Sequence, residues 1–598
     1  MKMPPVQHEY IPLAGGLDQV TPFITTSPGT CRIAQNYELS VLGGYRTVEG
    51  YERVDGRPAP SAAVFVVLPV SFSASVSVGD TVTGDYSLAT GVVIAVESTA
   101  IVITKLTGTF TSSEEITVTG VTKATMTGEP RGFASSVPLK QEYLALAAAV
   151  YRADIEEVPG SGSVLGVWAY TGEVYAFRNN AGGTAAVMHK ATSSGWSEVS
   201  TAELAPDGRY AFTNYNFGTG QMMYGADGKN KAFQFDGTTF TQITTGMTTD
   251  TPTHICAHSN HLFLSFEHSV QHSPIGDPTG IWTAVTGAGE INIGDTVTNM
   301  LPQPGNAEAT AMTIFSRNGS FVLYGTASDT WKLVTLNSEA GARAYTGQTI
   351  GATYGLDDRG VTATEATQAY GNFASASVSD RITPWLVEYQ AGVTGATVSR
   401  SKSQYRLFFG EGRALYLTVI DAKPAGFMPM RFPHSFNAVY SIETNTGVDV
   451  TYAAGTDGFV YQLDKGTSFD GAEIESFLSL QFNPSKSVRV MKQFRRAIVE
   501  TSGVGFMRLF IGSSLGYGSP DIESNTVVQN DFTFGNAYWD NGAWDEGVWD
   551  GQGARPIEHD LTGTSENISM GFTQVSDSQP TTTIHGVVLH FTARRQLR

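Results

Sequence analysis

The sequence predicts an all-β protein: a central β-propeller, a β-rich platform built from the N- and C-terminal segments, and a small inserted β-barrel or sandwich domain. Three observations predict it. Short runs of alternating apolar and polar residues recur along the chain, punctuated by Gly, Asn and Asp. Charged residues make up only 16% of the 598, and Thr, Ser and 65 Gly fill the deficit. β-Branched side chains pack on pleated surfaces and Gly supplies positive φ, so this mixture suits strands and tight turns better than long helices. Hairpin-like units, each with a late aromatic, recur at roughly 40–60 residues through the middle of the chain, which is the rhythm of propeller blades. A pair of β-sandwiches is the alternative architecture.

Residues 1–70 read as an extended arm and part of the platform. Pro4, Pro5, Pro12, Pro22 and Pro28 alternate with Gly15, Gly16, Gly29, Gly43 and Gly44. Proline removes donors and glycine permits turns, so short strands are expected here, with a hairpin turning at Gly43-Gly44. The arm proper, residues 1–60, is expected to lie across a neighbour and order on assembly. Residues 71–130 hold four close-spaced alternating strands (78–84, 91–98, 100–108, 114–120), which fit a small barrel or sandwich.

Residues 131–465 carry the propeller pattern. The units GVWAYTGEVYAFRN, MMYGADGKNKAFQFDGTTF, AMTIFSRNGSFVLY, YRLFFGEGRALYLTVI and VTYAAGTDGFVYQLD are hairpins. Their Asn-Gly and Asp-Gly pairs favour two-residue turns with both central residues at positive φ. KQEYLALAAAVYRADIEE (140–157) has helix-forming Ala and Leu, yet shares the hairpin rhythm of residues 166–179 and is read as strand. Residues 466–598 form the C-terminal part of the platform, with long strands at 468–482 and 490–503. Trp539, Trp544 and Trp549 there are each followed by Asp, a spacing that suits repeated turns.

The bulk numbers exclude several classes. A net charge of −19 is a poor match to gripping a phosphate backbone; it suits a wall past which DNA slides without sticking, and it suits simple solubility equally well. Two cysteines, Cys31 and Cys256, cannot make a disulfide framework. No early apolar region reads as a secretory signal. No run approaches the ~18 apolar residues of a membrane span.

Candidate chemistry is sparse. His254, Cys256 and His258 fall on one face of a strand, with His261, His268 and His272 close behind; these residue types are possible zinc ligands, against the plainer reading of packed or exposed histidines. Gly512-Ser513-Ser514-Leu515-Gly516 has the form of a nucleophile elbow, but no α/β alternation surrounds it, and a glycine-rich hairpin loop is expected. Gly160, Gly162 and Gly166 lack the G-K-[ST] of a phosphate loop and read as linker. Asn318-Gly319-Ser320 reads as a turn. Trp196, Trp282 and Trp331 end segments similar to the Asp-box turns of sialidase-type propellers, and packing between sheets suffices to explain them. The pairs Glu114-Glu115, Glu156-Glu157 and Asp357-Asp358 read as solvated loop charges. No catalytic, cofactor-binding or metal site is assigned, and no enzymatic activity or cofactor is expected.

Several motifs occur in a telling order. Gly15-Gly16, Pro28-Gly29, Asn36-Tyr37-Glu38, and Gly43 to Arg46 with Gly50 to Arg53 come first. HLFLSFEHSVQHSPIGDPTGIW (261–282), GTDGFVYQLDKGTSFDG (455–471) and the WDNGAWDEGVWDG run come after them. Together they resemble the tail nozzle, or tail tubular B-type, proteins of short-tailed phages. The resemblance implies a ring of six copies below the portal and adaptor, enclosing the channel through which DNA leaves. Expected partners are further copies of the chain, the adaptor or head-to-tail connector, tail fibres or spikes, and double-stranded DNA passing the lumen without sequence-specific binding. The expected location is the virion tail, after synthesis in the host cytoplasm. The 71–130 insert departs from the simplest plan of that family. The alternatives are a receptor-binding or glycan-hydrolysing tail propeller, and a cellular propeller scaffold.

Overall fold

Sequence-adjacent antiparallel strands dominate the computed structural model, which describes residues 5–303, 311–367, 372–444, 446–518, 525–534 and 554–596. The chain sorts into two units: a propeller unit of Ala14–Gly43 and Glu157–Leu463, and a platform unit of Met1–Leu13, Gly44–Glu156 and Asp464–Arg598.

Among the described residues the propeller unit holds seven blades. The first runs through Ser161–Tyr170, Glu173–Asn179, Ala186–Thr192 and Gly195–Leu204. Five further four-stranded sheets begin at Ala211, Ile255, Val297, Gln348 and Val393, and each keeps strict chain order. The seventh contributes Phe436–Glu443, Asp449–Gly455 and Val460–Leu463. Its first strand lies beside the first strand of blade one and closes the ring. The second strands of blades three to six (HLFLSF, AMTIFS, ATYGLD, QYRLFF) are buried at every position. A strand covered on both faces by neighbouring sheets needs no polar side, which is why these segments read as continuous runs rather than alternating ones. Aromatic packing fills the spaces between blades, as where Phe177 of blade one stacks on Tyr210 at 4.0 Å.

The turns differ from expectation in their chemistry. Gly228, Gly237 and Gly458 take positive φ (74°, 100°, 93°), while Asp227, Asp236 and Asp457 before them do not. The aspartates act through their carboxylates instead: Asp236 Oδ1 accepts the backbone N–H of Thr238 (2.8 Å) and Thr239 (2.6 Å). Such side-chain turns stabilise a longer loop than a two-residue hairpin. Turns with both residues at positive φ include Thr171-Gly172, Ser259-Asn260, Glu411-Gly412 and Asp421-Ala422. Asn318-Gly319 is a turn, but with neither residue at positive φ.

In the platform unit, Val66–Phe72, Thr81–Gly84, Thr90–Val96, Ala100–Thr107, Glu115–Val118 and Val121–Met126 close into a six-stranded barrel. Leu68, Val82, Val93, Ile101, Ile103 and Ile116 pack in its interior. The apolar stretch around Pro69, left of the expected boundary at 71, is thus a barrel strand; Pro69 lacks an N–H, and its carbonyl accepts from Thr127 N at 2.9 Å.

Residues 140–157, read as strand, are corrected: Val137–Arg152 is an α-helix, α1, and the first blade begins at Ser161. Ser136 caps α1, accepting from Leu139 N, and a proline sits in its first turn. The run of Ala and Leu then carries the helix. Tyr143 and Ala147, one turn apart, are its buried residues and pack on Phe65, Ile94 and Val102 beside the barrel. A second short helix, α2 at Thr383–Tyr389, has no counterpart among the sequence expectations; its Leu386 is buried against the fifth and sixth blades.

Two further sheets complete the platform unit. In one, Thr582–Gln596 pairs with Gln7–Pro12, Tyr45–Thr47 and Val490–Gly503, and the last of these also pairs with Ala554–Asp560. In the other, Ile474–Leu480, Ile568–Ser576, Gly505–Leu515 and Asn525–Phe534 lie in that order. No helix among the described residues is long and apolar enough to cross a membrane. The Trp539, Trp544 and Trp549 run lies outside the described residues.

Candidate functional site

In the platform unit, two segments far apart in sequence, Gly50–Arg53 and Lys465–Gly471, form a clasp. Their backbones interlock: Gly50 N donates to Gly466 O (3.0 Å), Tyr51 N to Ser468 O (3.1 Å), and Asp470 N to Tyr51 O (2.9 Å). Gly50 must be glycine, because a Cβ there would lie 2.1 Å from Ser468 O. The side chains pair in the same order. Tyr51 stacks on Phe469 at 5.1 Å. Glu52, almost fully buried, takes Lys465 Nζ at 2.8 Å and the Ser61 N–H and hydroxyl at 2.8 and 2.9 Å.

Arg53 Nε bonds both oxygens of Asp470 (3.1 and 2.9 Å), and Arg152 from the end of α1 approaches the same carboxylate at 3.4 Å. With a side-chain exposure of 1%, Asp470 is a buried anion holding two cations. Burial lowers the pKa of Arg152, and Asp470 opposes that shift. A groove of about 730 Å³ runs beside the clasp, walled by α1, Glu52, Ser468 and Pro580.

The arm is also fastened within its own chain, which corrects the expectation of an arm that orders on a neighbour. In the platform unit, Gln7–Pro12 forms a six-residue ladder with Thr582–Gln596. In the propeller unit, residues 14–43 lie along the sixth blade. Leu17 N donates to Phe427 O at 2.9 Å, Asn36 N to Pro429 O at 3.1 Å, and Arg431 N to Asn36 Oδ1 at 2.8 Å. Gly16 passes so close that a Cβ would meet Phe427 N at 2.8 Å. Glu38 accepts from Gln404 Nε2 (3.0 Å) and Lys402 Nζ (3.1 Å).

The propeller axis holds a cavity of about 260 Å³ to which all seven blades contribute, from Trp168 in the first to Tyr440 in the seventh. Arg209 enters it above the Tyr345 ring at 3.8 Å and donates Nη2 to Thr394 O. His254 stacks on the same tyrosine at 4.6 Å. Burial, with Arg209 adding to it, holds the His254 imidazole down at about 3, so it is neutral at ordinary pH.

The structure separates the other residues that the sequence singled out. His254 faces the axis, whereas Cys256 packs in the core between blades three and four, where burial pushes its thiol up to about 12. His258, His261 and His272 surround the Trp331 ring with centroids at 6.2, 5.5 and 5.6 Å. Among the described residues no group of three His, Cys, Asp or Glu is placed to hold a metal.

The Gly512–Leu515 segment is not a hairpin loop but strand interior, with Ser513 paired to Met570 and Ser514 to Ser569. Gly162 and Gly166 are not linker either: they lie in the first strand of blade one, where two register shifts bend it and Gly166 backs onto Tyr210. Trp196, Trp282 and Trp331 pack between blades one and seven, two and three, and three and four.

The acidic pairs are not merely solvated. Glu114 is buried and accepts from Ser87 N (3.0 Å) and the Ser87 hydroxyl (3.1 Å), tying barrel loops together. Glu156 reaches Arg57 at 3.5 Å and Glu157 reaches Arg178 at 3.0 Å. Asp358 bridges Arg317 and Arg343, each at 2.8 Å. Arg53 and Asp470 fall inside the Gly50-to-Arg53 and 455–471 motifs, but nothing local marks them as partners; Arg209 is a single charge in an ordinary turn-rich stretch.

No protein-family model and no curated protein matches this sequence. Among solved structures, the chain is similar to BBS1N, crystallised in complex with ARL6DN, at 10% identity over 52% of this chain and 96% of that one, with a TM-score of 0.36. It is also similar to PorZ, a bacterial surface component of the type-IX secretion system of Porphyromonas gingivalis, at 11% identity over 68% of this chain and 60% of that one, with a TM-score of 0.37. The assignment of seven blades rests on the strand order of this chain itself.

Proposed function

We propose that this chain is a non-enzymatic structural subunit of a short-tailed phage tail, a nozzle protein that assembles into a ring continuing the DNA exit channel. The observation that carries the reading is the ordered set of tail-nozzle-like motifs, two of which meet in the clasp. The Gly50-to-Arg53 motif and the Lys465-to-Gly471 motif join through Arg53 and Asp470, 417 positions apart. Motif residues that hold distant segments together are what a ring subunit under tension requires, because they resist being pulled apart from either end of the chain. The closed barrel and the ring of blades leave few long unpaired edges, which suits a part that withstands pressure. A net charge of −19 suits a lumen that does not retain DNA. In this reading the partners are further copies of the chain in a sixfold ring, the connector above, and fibres or spikes at its side.

The sequence support for a glycan-hydrolysing propeller comes from the segments ending at Trp196, Trp282 and Trp331 and from the Trp539–Trp549 run; the first three rings are committed to packing between blades, and the run lies outside the described residues. Electron microscopy of virions from the phage encoding the chain tests the proposal. Six copies around the tail axis, below the connector, are expected. A tail containing no copy overturns it.

A further inference from the structure

The axial cavity of the propeller holds charge that the protein itself does not neutralise. Arg209 makes no ion pair among the described residues: its contacts are the Thr394 carbonyl and the face of Tyr345. Its Nε is buried without a hydrogen-bond partner. A guanidinium taken out of water without a carboxylate is costly, and an anion in the space before it would offset that cost. Arg400 also borders the cavity, but its side chain is largely in solvent and pairs with Glu443 at 3.7 Å, so the uncompensated charge is that of Arg209.

His254 supplies the second, independent observation. It is 8% exposed, lines the cavity, and its Nε2 is buried without a partner. Its Nδ1 sits 3.0 Å from the Thr253 hydroxyl and 3.3 Å from the Ser265 hydroxyl. When Nδ1 accepts from the nearer hydroxyl, that of Thr253, the single proton of the neutral ring resides on Nε2, which is then a donor without a partner. Two side chains, one of them charged and each carrying a polar atom without a hydrogen-bond partner, thus line one cavity whose remaining walls include the Trp168 and Tyr440 rings.

We propose that the axial cavity is a binding site for a small oxyanion, a carboxylate or phosphate group held by the Arg209 guanidinium and the His254 Nε2–H. The site is independent of the tail reading, because it uses only groups inside the propeller. At about 260 Å³ the cavity is at the small end of ligand pockets, which excludes nucleotides and peptides and admits inorganic phosphate or a small organic acid. The aromatic walls favour an organic acid with a flat apolar body over bare phosphate.

The test is calorimetric titration and thermal unfolding of the full chain with phosphate, acetate and benzoate, each against sodium chloride at matched ionic strength. At least one of the three is expected to bind saturably with one site per chain, and to raise the unfolding temperature beyond the chloride control. Benzoate binding more tightly than phosphate identifies an organic acid as the ligand class; the reverse order identifies phosphate. Arg209→Gln is expected to weaken binding by about tenfold or more. His254→Phe keeps a ring on Tyr345 but removes the donor, and is expected to weaken binding by about threefold or more. Should Arg209→Gln fail to fold, His254→Phe decides. Responses no larger than chloride for all three anions, or equal affinity in the wild type and a folded variant, overturn the proposal.

Discussion

The propeller unit and the platform unit are both built from antiparallel strands, but they are assembled on opposite principles. Blades one to six each pair strands that are consecutive in sequence, usually across a loop of a few residues. Outside its barrel, the platform pairs strands from opposite ends of the chain: Gln7–Pro12 and Tyr45–Thr47 both join Thr582–Gln596, and Arg53 reaches Asp470. Closing long loops costs chain entropy before any contact offsets it. Local hairpins form a blade almost wherever the pattern recurs. A long-range sheet needs specific anchors, and the buried Asp470 is one. Damage to a blade should therefore spread to its neighbours, whereas damage to the clasp should release segments remote in sequence.

The largest expected effect is from Phe177→Ala. Phe177 is fully buried between blades one and two, and its loss should cost about 3–5 kcal/mol. Denaturant unfolding with hydrogen exchange read by peptide should show lost protection concentrated in 161–242, with the platform strands unchanged. Equal loss in the platform would show that the two units do not respond separately.

Asp470→Ala comes next, at about 3 kcal/mol, because it leaves Arg53 and Arg152 without their buried anion. Here exchange should rise together around Tyr51, at the end of α1 and around Phe469. A rise confined to the immediate neighbours of residue 470 would show that the clasp is not an anchor.

Acid should distinguish the units less strongly. In the propeller, burial lowers His254 to about 3 and His258 to about 4, and lowers His189 and His272 as well; in the platform it lowers His559. Below the unfolded value of about 6.5, the unfolded chain takes up protons that these folded histidines refuse. The contribution of each neutral ring is therefore intact above that pH and is lost as pH falls from there towards 4. Thermal unfolding between pH 7 and pH 5 should lower the propeller transition more than the platform transition. A larger fall in the platform would reverse the assignment of the sensitive groups.

The smallest effect expected is from Asp358→Ala. This exposed carboxylate bridges Arg317 and Arg343, and its loss should cost no more than about 1 kcal/mol and should shrink in high salt. Chemical denaturation at low and high salt checks it.

The features legible in the sequence are those that depend on near neighbours. The all-β class, the blade hairpins, most barrel strands and the tryptophans between sheets are of this kind, because alternation, turn residues and aromatic endings act within a few positions. The helix α1 escapes for the converse reason: the hairpin rhythm around it outweighs an Ala-rich run whose decisive local signal, the Ser136 cap before a first-turn proline, is a single side chain. Other features arise only in the folded chain. The described residues make seven blades; His254 leaves Cys256 and His258 to face the axis; Glu114 is a buried tie rather than a loop charge; and Arg53 meets Asp470. These outcomes depend on which surfaces come together after the strands have formed. A charge in a turn reads the same in sequence whether solvent or a buried partner 417 positions away receives it, and only burial separates the two.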